Sequence, residues 1–132
     1  MSDSDVSMVE SYFTKMGIDP NLARESGNIF AVIQGNAKIY VLVAGGFLIA
    51  QSRVTIVPKK NLTVFYRKLL DLNDNPAETM GTAFGINADD EVIVKMLKAT
   101  RNLSFDDFVY ILTTVAYVAE KYTKHFVQTI IQ

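Results

Sequence analysis

The chain contains no cysteine among its 132 residues. That absence excludes disulfide scaffolds, cysteine-based zinc sites, iron–sulfur clusters and a thiol nucleophile. Histidine occurs once, as His125, and no serine stands in the Gly-x-Ser-x-Gly pattern of hydrolases. A catalytic triad would need that histidine fixed beside an activated hydroxyl, and no spacing in the sequence provides one. We therefore expect a protein that is not an enzyme and has no catalytic residue.

An excess of charge of either sign is also missing, since 13 Lys and Arg stand against 14 Asp and Glu. Nucleic-acid-binding domains concentrate positive charge on one face. The basic cluster around the second predicted helix, Lys59-Lys60 and Arg67-Lys68, is offset by Asp71 and Asp74 at its far end. The sequence therefore predicts no nucleic-acid partner.

No membrane span or signal peptide is indicated. The N-terminus is acidic where a signal peptide would be basic. The most apolar stretch, residues 26–52, is interrupted by glycines and amide side chains, a pattern that predicts buried strands. We expect a cytoplasmic protein with no membrane partner.

Acidic residues run together at Asp89-Asp90-Glu91. A calcium loop spaces its oxygen ligands at alternate positions around a central glycine, whereas these residues are adjacent. The run is typical of a solvated hairpin turn. We expect no metal site and no cofactor.

The first half of the chain predicts one helix and three strands. Asp3 or Ser4 would cap the helix, and Gly17 would end it. The polar residues 21–27 are predicted to be an irregular connection. Apolar runs at 29–33, 39–43 and 47–57 predict strands, because Gly35-Asn36 and Gly45-Gly46 between them supply the positive φ angles of tight hairpins.

The second half predicts a helix, a hairpin and a long final helix. Asn61 would cap the first of these helices, whose buried face would carry Leu62, Phe65, Leu69 and Leu72. Strands are predicted at 83–87 and 91–99. From Ser104 to Gln132 there is no glycine or proline, and the apolar seam recurs every three or four residues: Phe105, Phe108, Leu112, Val115, Ala119, Tyr122 and Phe126. Ser104 and Asp107 form a near capping box at its start.

The predicted order is α-β-β-β-α-β-β-α in one domain, residues 1–132. Because helices and strands do not alternate singly and the hairpins are tight, this order predicts an α+β fold with an antiparallel sheet and helices packed on it.

The second half of the chain also resembles a known family. The segments that carry the resemblance are Leu69-Leu70-Asp71-Leu72-Asn73, Ala83-Phe84-Gly85-Ile86, the Asp89-Asp90 turn, Asn102-Leu103-Ser104 and Ala119-Glu120-Lys121-Tyr122. They are similar to the YbjN-like family, which shares the fold of type III secretion chaperones. The resemblance implies a non-enzymatic, usually dimeric protein that binds other polypeptides.

Both long predicted helices carry more apolar residues than one sheet face can cover. On the last helix the surplus is Val109, Tyr110, Ala116, Tyr117, Val127, Ile130 and Ile131. The candidate dimer or partner surface comprises Val64, Tyr66, Leu70, Tyr110 and Tyr117. Two functions follow: a homodimeric, chaperone-like protein with a polypeptide partner, or a small-molecule-binding sensory or regulatory domain whose sheet and last helix enclose an apolar pocket.

Overall fold

The final helix spans almost the whole sheet and organises the fold. A computed structural model describes the backbone of residues 2–131 and the side chains of residues 4–126. The elements in chain order are α1 (Ser2–Lys15), α2 (Pro20–Ala23), β1 (Arg24–Ser26), β2 (Ile29–Gln34), β3 (Ala37–Ala44), β4 (Phe47–Ile56), α3 (Leu62–Asn73), α4 (Pro76–Thr79), β5 (Ala83–Ile86), β6 (Glu91–Ala99) and α5 (Phe105–Ile131).

The six strands form one antiparallel sheet in the order β1-β2-β3-β4-β6-β5. Strand β6 pairs with β4 over nine registered positions, from Phe47–Ala99 to Ile56–Glu91. The α+β prediction is therefore confirmed, and the two hairpin groups are joined into a single sheet by β6. The hairpins turn as predicted, with φ of 63° at Gly35, 60° at Gly45 and 81° at Gly46.

The helices α1, α3 and α5 pack on one face of this sheet. Phe13 of α1 contacts Phe30 of β2 at a ring-centroid distance of 5.3 Å. Phe126 of α5 lies 5.5 Å from Phe65 of α3 and 6.2 Å from Phe84 of β5. The predicted seam of α5 is buried from Phe108 onward, and only Phe105 is half-buried. We call this helix-covered side the inner face of the sheet and the opposite side the outer face.

Helix caps match the sequence in one case and differ in two. The Ser104 hydroxyl accepts from the Asp107 amide at 3.0 Å, and the Asp107 carboxylate accepts from the Ser104 amide at 3.2 Å, so the capping box is confirmed. Asn61 instead has a left-handed backbone, and its side chain makes no cap hydrogen bond. Helix α1 begins at Ser2, so the caps predicted at Asp3 or Ser4 lie inside it.

The connection predicted at 21–27 is partly ordered into α2 and β1. Asp19 accepts a hydrogen bond from the Asn21 amide at 2.9 Å, and Pro20 fixes the first helical φ angle. Strand β1 then pairs with β2 through Arg24–Phe30 and Ser26–Ile29. A four-residue helix and a three-residue strand are too short to leave a periodic signal.

Two burial predictions are wrong. Leu62, predicted to be buried, is 39% exposed at the first turn of α3. Ala116, predicted as surplus surface, is buried, because the face of α5 that contacts the sheet is wider than the predicted seam and includes Ile111 and Val118. Val109 is half-buried. The side chains of Val127, Ile130 and Ile131, together with all of Gln132, lie outside the described residues.

Candidate functional site

The five predicted surface residues are exposed but lie in two separate places. Val64, Tyr66 and Leu70 of α3 are 67%, 41% and 66% exposed, and Tyr110 and Tyr117 of α5 are 56% and 55% exposed. Helix α3 packs beside β5, where the Asn73 side chain hydrogen bonds both backbone groups of Phe84 at 2.6 and 2.9 Å. The α3 residues therefore lie at the β5 edge of the sheet.

The two tyrosines of α5 lie towards the opposite edge. Thr113, between them on the same helix face, accepts a hydrogen bond from the Gln34 side chain at the end of β2 at 3.0 Å. One turn beyond Tyr117, the Glu120 carboxylate accepts from the Asn36 amide at 2.6 Å. Four strand intervals separate β2 from β5, a distance of about 19 Å. The five candidate surface residues therefore lie at two different edges of the sheet.

An apolar groove follows the β2 edge. We call it the β2-edge groove; it has a volume of about 270 Å³ and is lined by Ile18, Asp19, Leu22, Ala23, Ala31, Val32 and Ile33. Leu22 is 85% exposed, the highest value among the exposed large apolar side chains of the described residues, and Ile33 is 67% exposed. Such exposure of neighbouring large side chains marks a surface suited to contact with another molecule.

Part of the backbone of β2 is open beside this groove. In the described residues β1 pairs only with Ile29 and Phe30, so the end of β2 from Val32 to Gln34 has no registered partner on that side. Gln34 and Ala37 close the two-residue turn of the β2–β3 hairpin. Because backbone groups alternate in direction along an antiparallel strand, the amide and carbonyl of Ile33 point away from β3. An extended chain could pair with them.

Sequence reasoning missed the β2-edge groove. Its signals were two large apolar residues, Leu22 and Ile33, placed where a polar connection and a strand end were predicted. They are exposed together only because β1 pairs with just the first two residues of β2, Ile29 and Phe30.

A second cavity, of about 570 Å³, opens where β3 and β4 separate. The β4–β6 pairing has a register irregularity between Arg53 and Thr55, and β3 pairs with β4 only as far as Ile39–Ser52. The Ser52 hydroxyl donates to the Lys38 carbonyl at 2.8 Å across this gap. Most of the residues that line it have polar side chains: Asn36, Ala37, Lys38, Tyr40, Ser52, Arg53, Glu91, Ala119, Glu120, Thr123 and Lys124.

Hydrogen bonds near these cavities shift the pKa values of Glu91 and Lys38. Hydrogen bonds from Asn87 and then Arg53 lower the pKa of Glu91, and the Arg53–Glu91 distance is 3.0 Å. The neighbouring Tyr40 raises the pKa of Lys38. Glu91 and Lys38 therefore both stay charged near neutral pH.

A separate polar cluster lies between α4 and α5. The Glu78 carboxylate accepts from Lys121 at 3.2 Å and from the Tyr122 hydroxyl at 3.3 Å. The Lys121 contact lowers the pKa of Glu78, and burial raises the pKa of Tyr122. His125 packs its ring against Tyr122 and Phe126 at 5.8 and 5.5 Å.

The acidic run forms a turn, as predicted. Asn87 accepts from the amides of Asp89 and Glu91 at 3.0 and 2.9 Å, and Asp90 has a φ of 58°. Among the described residues no three His, Asp or Glu side chains are grouped so that they could hold a metal ion. None of the described helices is both long and apolar enough to span a membrane.

This arrangement, an antiparallel sheet with α1, α3 and α5 on one face, is the fold of the type III secretion chaperones and of YbjN. One solved structure with this fold is the ExsC–ExsE complex, in which the matching chain has 14% sequence identity and a TM-score of 0.73, with 94% of both chains covered. The type III secretion chaperone SycH of Yersinia pestis, solved with a fragment of YscM2, has 15% identity and a TM-score of 0.67, covering 89% of this chain and 98% of that one.

YbjN of E. coli has the same fold at 9% identity, with a TM-score of 0.64 over 91% of this chain and 92% of its own. No protein-family model matches the sequence, and no curated protein matches it either. The solved structures that share this fold confirm the fold expected from the resemblance.

Proposed function

We propose that this protein is a non-enzymatic, chaperone-like protein that binds a segment of another polypeptide and acts as a homodimer in the cytoplasm. The observation that carries the proposal is the β2-edge groove, where the open backbone of Ile33 lies beside exposed apolar side chains. An extended segment could gain main-chain hydrogen bonds from the strand and place alternate side chains in the groove. The fold supports the proposal, since chaperones solved with polypeptide partners share it.

The homodimer is proposed through the exposed face of α3. Val64 and Leu70 are two-thirds exposed, six residues apart on a helix, and so lie about 9 Å apart along its axis. Arg67 lies between these two residues and Asp71 follows Leu70, and the two side chains form an ion pair at 3.6 Å. This face therefore presents apolar surface and both signs of charge. A face of mixed charge can meet a copy of itself without net repulsion.

Two matched leucine variants test the two parts separately. Leu22→Ser removes the most exposed side chain of the β2-edge groove, and Leu70→Ser removes a similarly exposed side chain of α3. Neither position is buried, so both variants should keep the melting temperature of the parent within about 2 °C. Binding would be measured against peptides selected from a random 16-residue library displayed on phage, and mass by light scattering.

We expect Leu22→Ser to weaken peptide binding and to leave the dimer mass unchanged, and Leu70→Ser to give monomers. Ile33→Pro tests the main-chain contact, because proline removes the Ile33 amide that would donate to the bound peptide. The fold should tolerate this proline, because the lost amide points away from β3 at an open strand edge. If the peptides bind Leu22→Ser and Ile33→Pro as tightly as they bind the parent, the β2-edge groove is not the peptide-binding site. A parent protein that stays monomeric at tens of micromolar would refute the dimer.

The cavity between β3 and β4 supports a second candidate, a sensory or regulatory domain that binds a small molecule. Its lining of three cations and two carboxylates suits a charged metabolite and not the apolar ligand expected from the sequence. Native mass spectrometry of the purified protein tests this candidate. A co-purified small molecule that is lost from Lys124→Ala would favour it, and an unliganded mass would count against it.

A further inference from the structure

The outer face of the sheet is uncovered in the described part of the chain. The helices α1, α3 and α5 all pack on the inner face, and strand residues alternate between the two faces. On β3 the inner residues Ile39, Val41 and Val43 are fully buried, whereas Tyr40 on the outer face is 37% exposed. An uncovered face of this kind is ordinarily polar in an antiparallel sheet.

Here a large part of the outer face is apolar. Four registered neighbours, Ile29, Leu42, Ile49 and Leu97, form one row across β2, β3, β4 and β6. The adjacent row is Ala44, Phe47 and Ala99. Leu97 is 57% exposed and Phe47 is 44% exposed. The first row crosses three strand intervals and is therefore about 14 Å long.

The charges of this face lie on one side of the apolar rows. The cations are Lys38, Arg53 and Lys95, and two carboxylates pair with the first two: Glu25 with Lys38 at 3.8 Å and Glu91 with Arg53 at 3.0 Å. Lys95 forms no ion pair with any residue that the structure describes. It lies two residues from Leu97 on β6 and opposite Gln51 of β4, next to the apolar row.

We propose that the outer face binds an acidic amphipathic helical segment of the polypeptide partner, with its apolar stripe on the row ending at Leu97 and a carboxylate against Lys95. This inference rests on the proposed polypeptide-binding function and names a second contact and its chemistry. About ten helical residues span 15 Å, which matches the row. A carboxylate on the flank of such a helix would supply the charge that Lys95 lacks.

The other occupants of an apolar face fit less well. A second copy meeting this face with its own outer face would bring two unpaired Lys95 side chains into one interface, where like charges disfavour association. An anionic membrane attracts clustered basic residues at about 1 kcal/mol each. On this face two of the three cations are already paired with carboxylates, so a membrane would gain little attraction.

The test uses peptides selected on the parent protein from the random phage library. We expect a class of peptides rich in Asp and Glu, with apolar residues spaced by three and four. Their affinity should fall more than 10-fold in Leu97→Asp and about 5-fold in Lys95→Glu, as loss of one exposed ion pair and a new repulsion predict. Replacing the peptide carboxylates by lysine should restore binding to Lys95→Glu.

Ile86→Asp is the matched control, because Ile86 is an exposed apolar residue of β5 that lies outside the two rows. It should leave the affinity unchanged. Melting curves of each variant, followed by circular dichroism, separate a loss of binding from unfolding. Because Lys95→Glu changes only a surface charge, we expect it to keep the melting temperature of the parent.

Several outcomes would overturn the inference. The first is that the selected peptides are not enriched in Asp and Glu, and the second is that they bind Lys95→Glu and the parent with equal affinity. The third is that the dimer dissociates in Leu97→Asp, which would assign the face to a second copy. Binding to phosphatidylserine vesicles that Lys95→Glu abolishes would assign it to a membrane. If the peptides lose affinity in Leu22→Ser but not in Leu97→Asp, the proposed function stands and this inference fails. If no peptide is selected, both fail.

Discussion

Gly35→Ala should destabilise the protein for two separable reasons. Gly35 has a φ of 63° in the β2–β3 hairpin, a conformation that an alanine adopts at a cost of about 1–2 kcal/mol. A Cβ atom there would also lie 2.5 Å from Glu120 Oε1, the atom that accepts the Asn36 amide hydrogen bond. The carboxylate must therefore move and lose that bond.

The second term can be given a magnitude. The hydrogen bond is exposed and its acceptor ends a flexible side chain, so its loss should cost about 0.5–1.5 kcal/mol. Together with the backbone term, the variant should lose about 1.5–3.5 kcal/mol of unfolding free energy. For a domain of this size the melting temperature should fall by roughly 5–13 °C.

A double-mutant cycle with Glu120→Ala isolates the contact. Urea unfolding of the parent, the two single variants and the double variant should show that Gly35→Ala costs about 1 kcal/mol less when Glu120 is absent. Gly45→Ala is the control, because Gly45 has a φ of 60° with no atom within 4 Å of the added Cβ. Its cost should be the same with and without Glu120. A coupling energy of zero between Gly35 and Glu120 would refute the reasoning.

Three further predictions concern α4 and α5. Ser104→Ala removes the reciprocal cap with Asp107 and should cost about 1 kcal/mol in urea unfolding, whereas an unchanged midpoint would contradict a role for the cap. Phe126→Ala empties a fully buried site and should cost about 3–5 kcal/mol by calorimetry, and a loss below 1 kcal/mol would show that the site is not packed as described. The pKa of Glu78 lies below its ordinary value of 4.5, so its contribution to stability is present above pH 4.5 and is lost as the pH falls through the folded pKa. A carbon-detected NMR titration should show this low midpoint and its rise in Lys121→Ala, and equal midpoints would contradict the pairing.

Local patterns predicted the elements of this fold well, because their signals lie within a few residues. The Gly35-Asn36 and Gly45-Gly46 turns predicted both hairpins of the first three long strands, and the seam from Phe108 to Phe126 identified the buried face of the last helix. The short α2, β1 and α4 escaped prediction, because elements of three or four residues leave no periodic signal. Pairing with β2 orders β1, and the Asp19 cap orders α2.

The candidate surface was only half predictable. Exposure of Val64, Leu70 and Tyr117 followed from counting apolar residues against the area that one sheet face can cover. Their division between two edges did not follow, since it depends on which strand of the β5–β6 hairpin docks on β4. That choice involves pairs of residues more than 30 positions apart, so the local periodicity of the sequence does not predict it.

The docking of β6 on β4 has a physical reason and a consequence for function. Strand β6 has nine residues and matches the ten-residue β4 over nine pairs, whereas β5 has four residues and could offer fewer than half as many. The longer pairing places β5 at the sheet edge and brings α3 there with it. A dimer formed through α3 would therefore leave the β2-edge groove of each protomer about 19 Å away across its own sheet, free to bind a polypeptide. Self-association and partner binding would then be separable by mutation, so a single variant of Leu70 that removed both would contradict this arrangement.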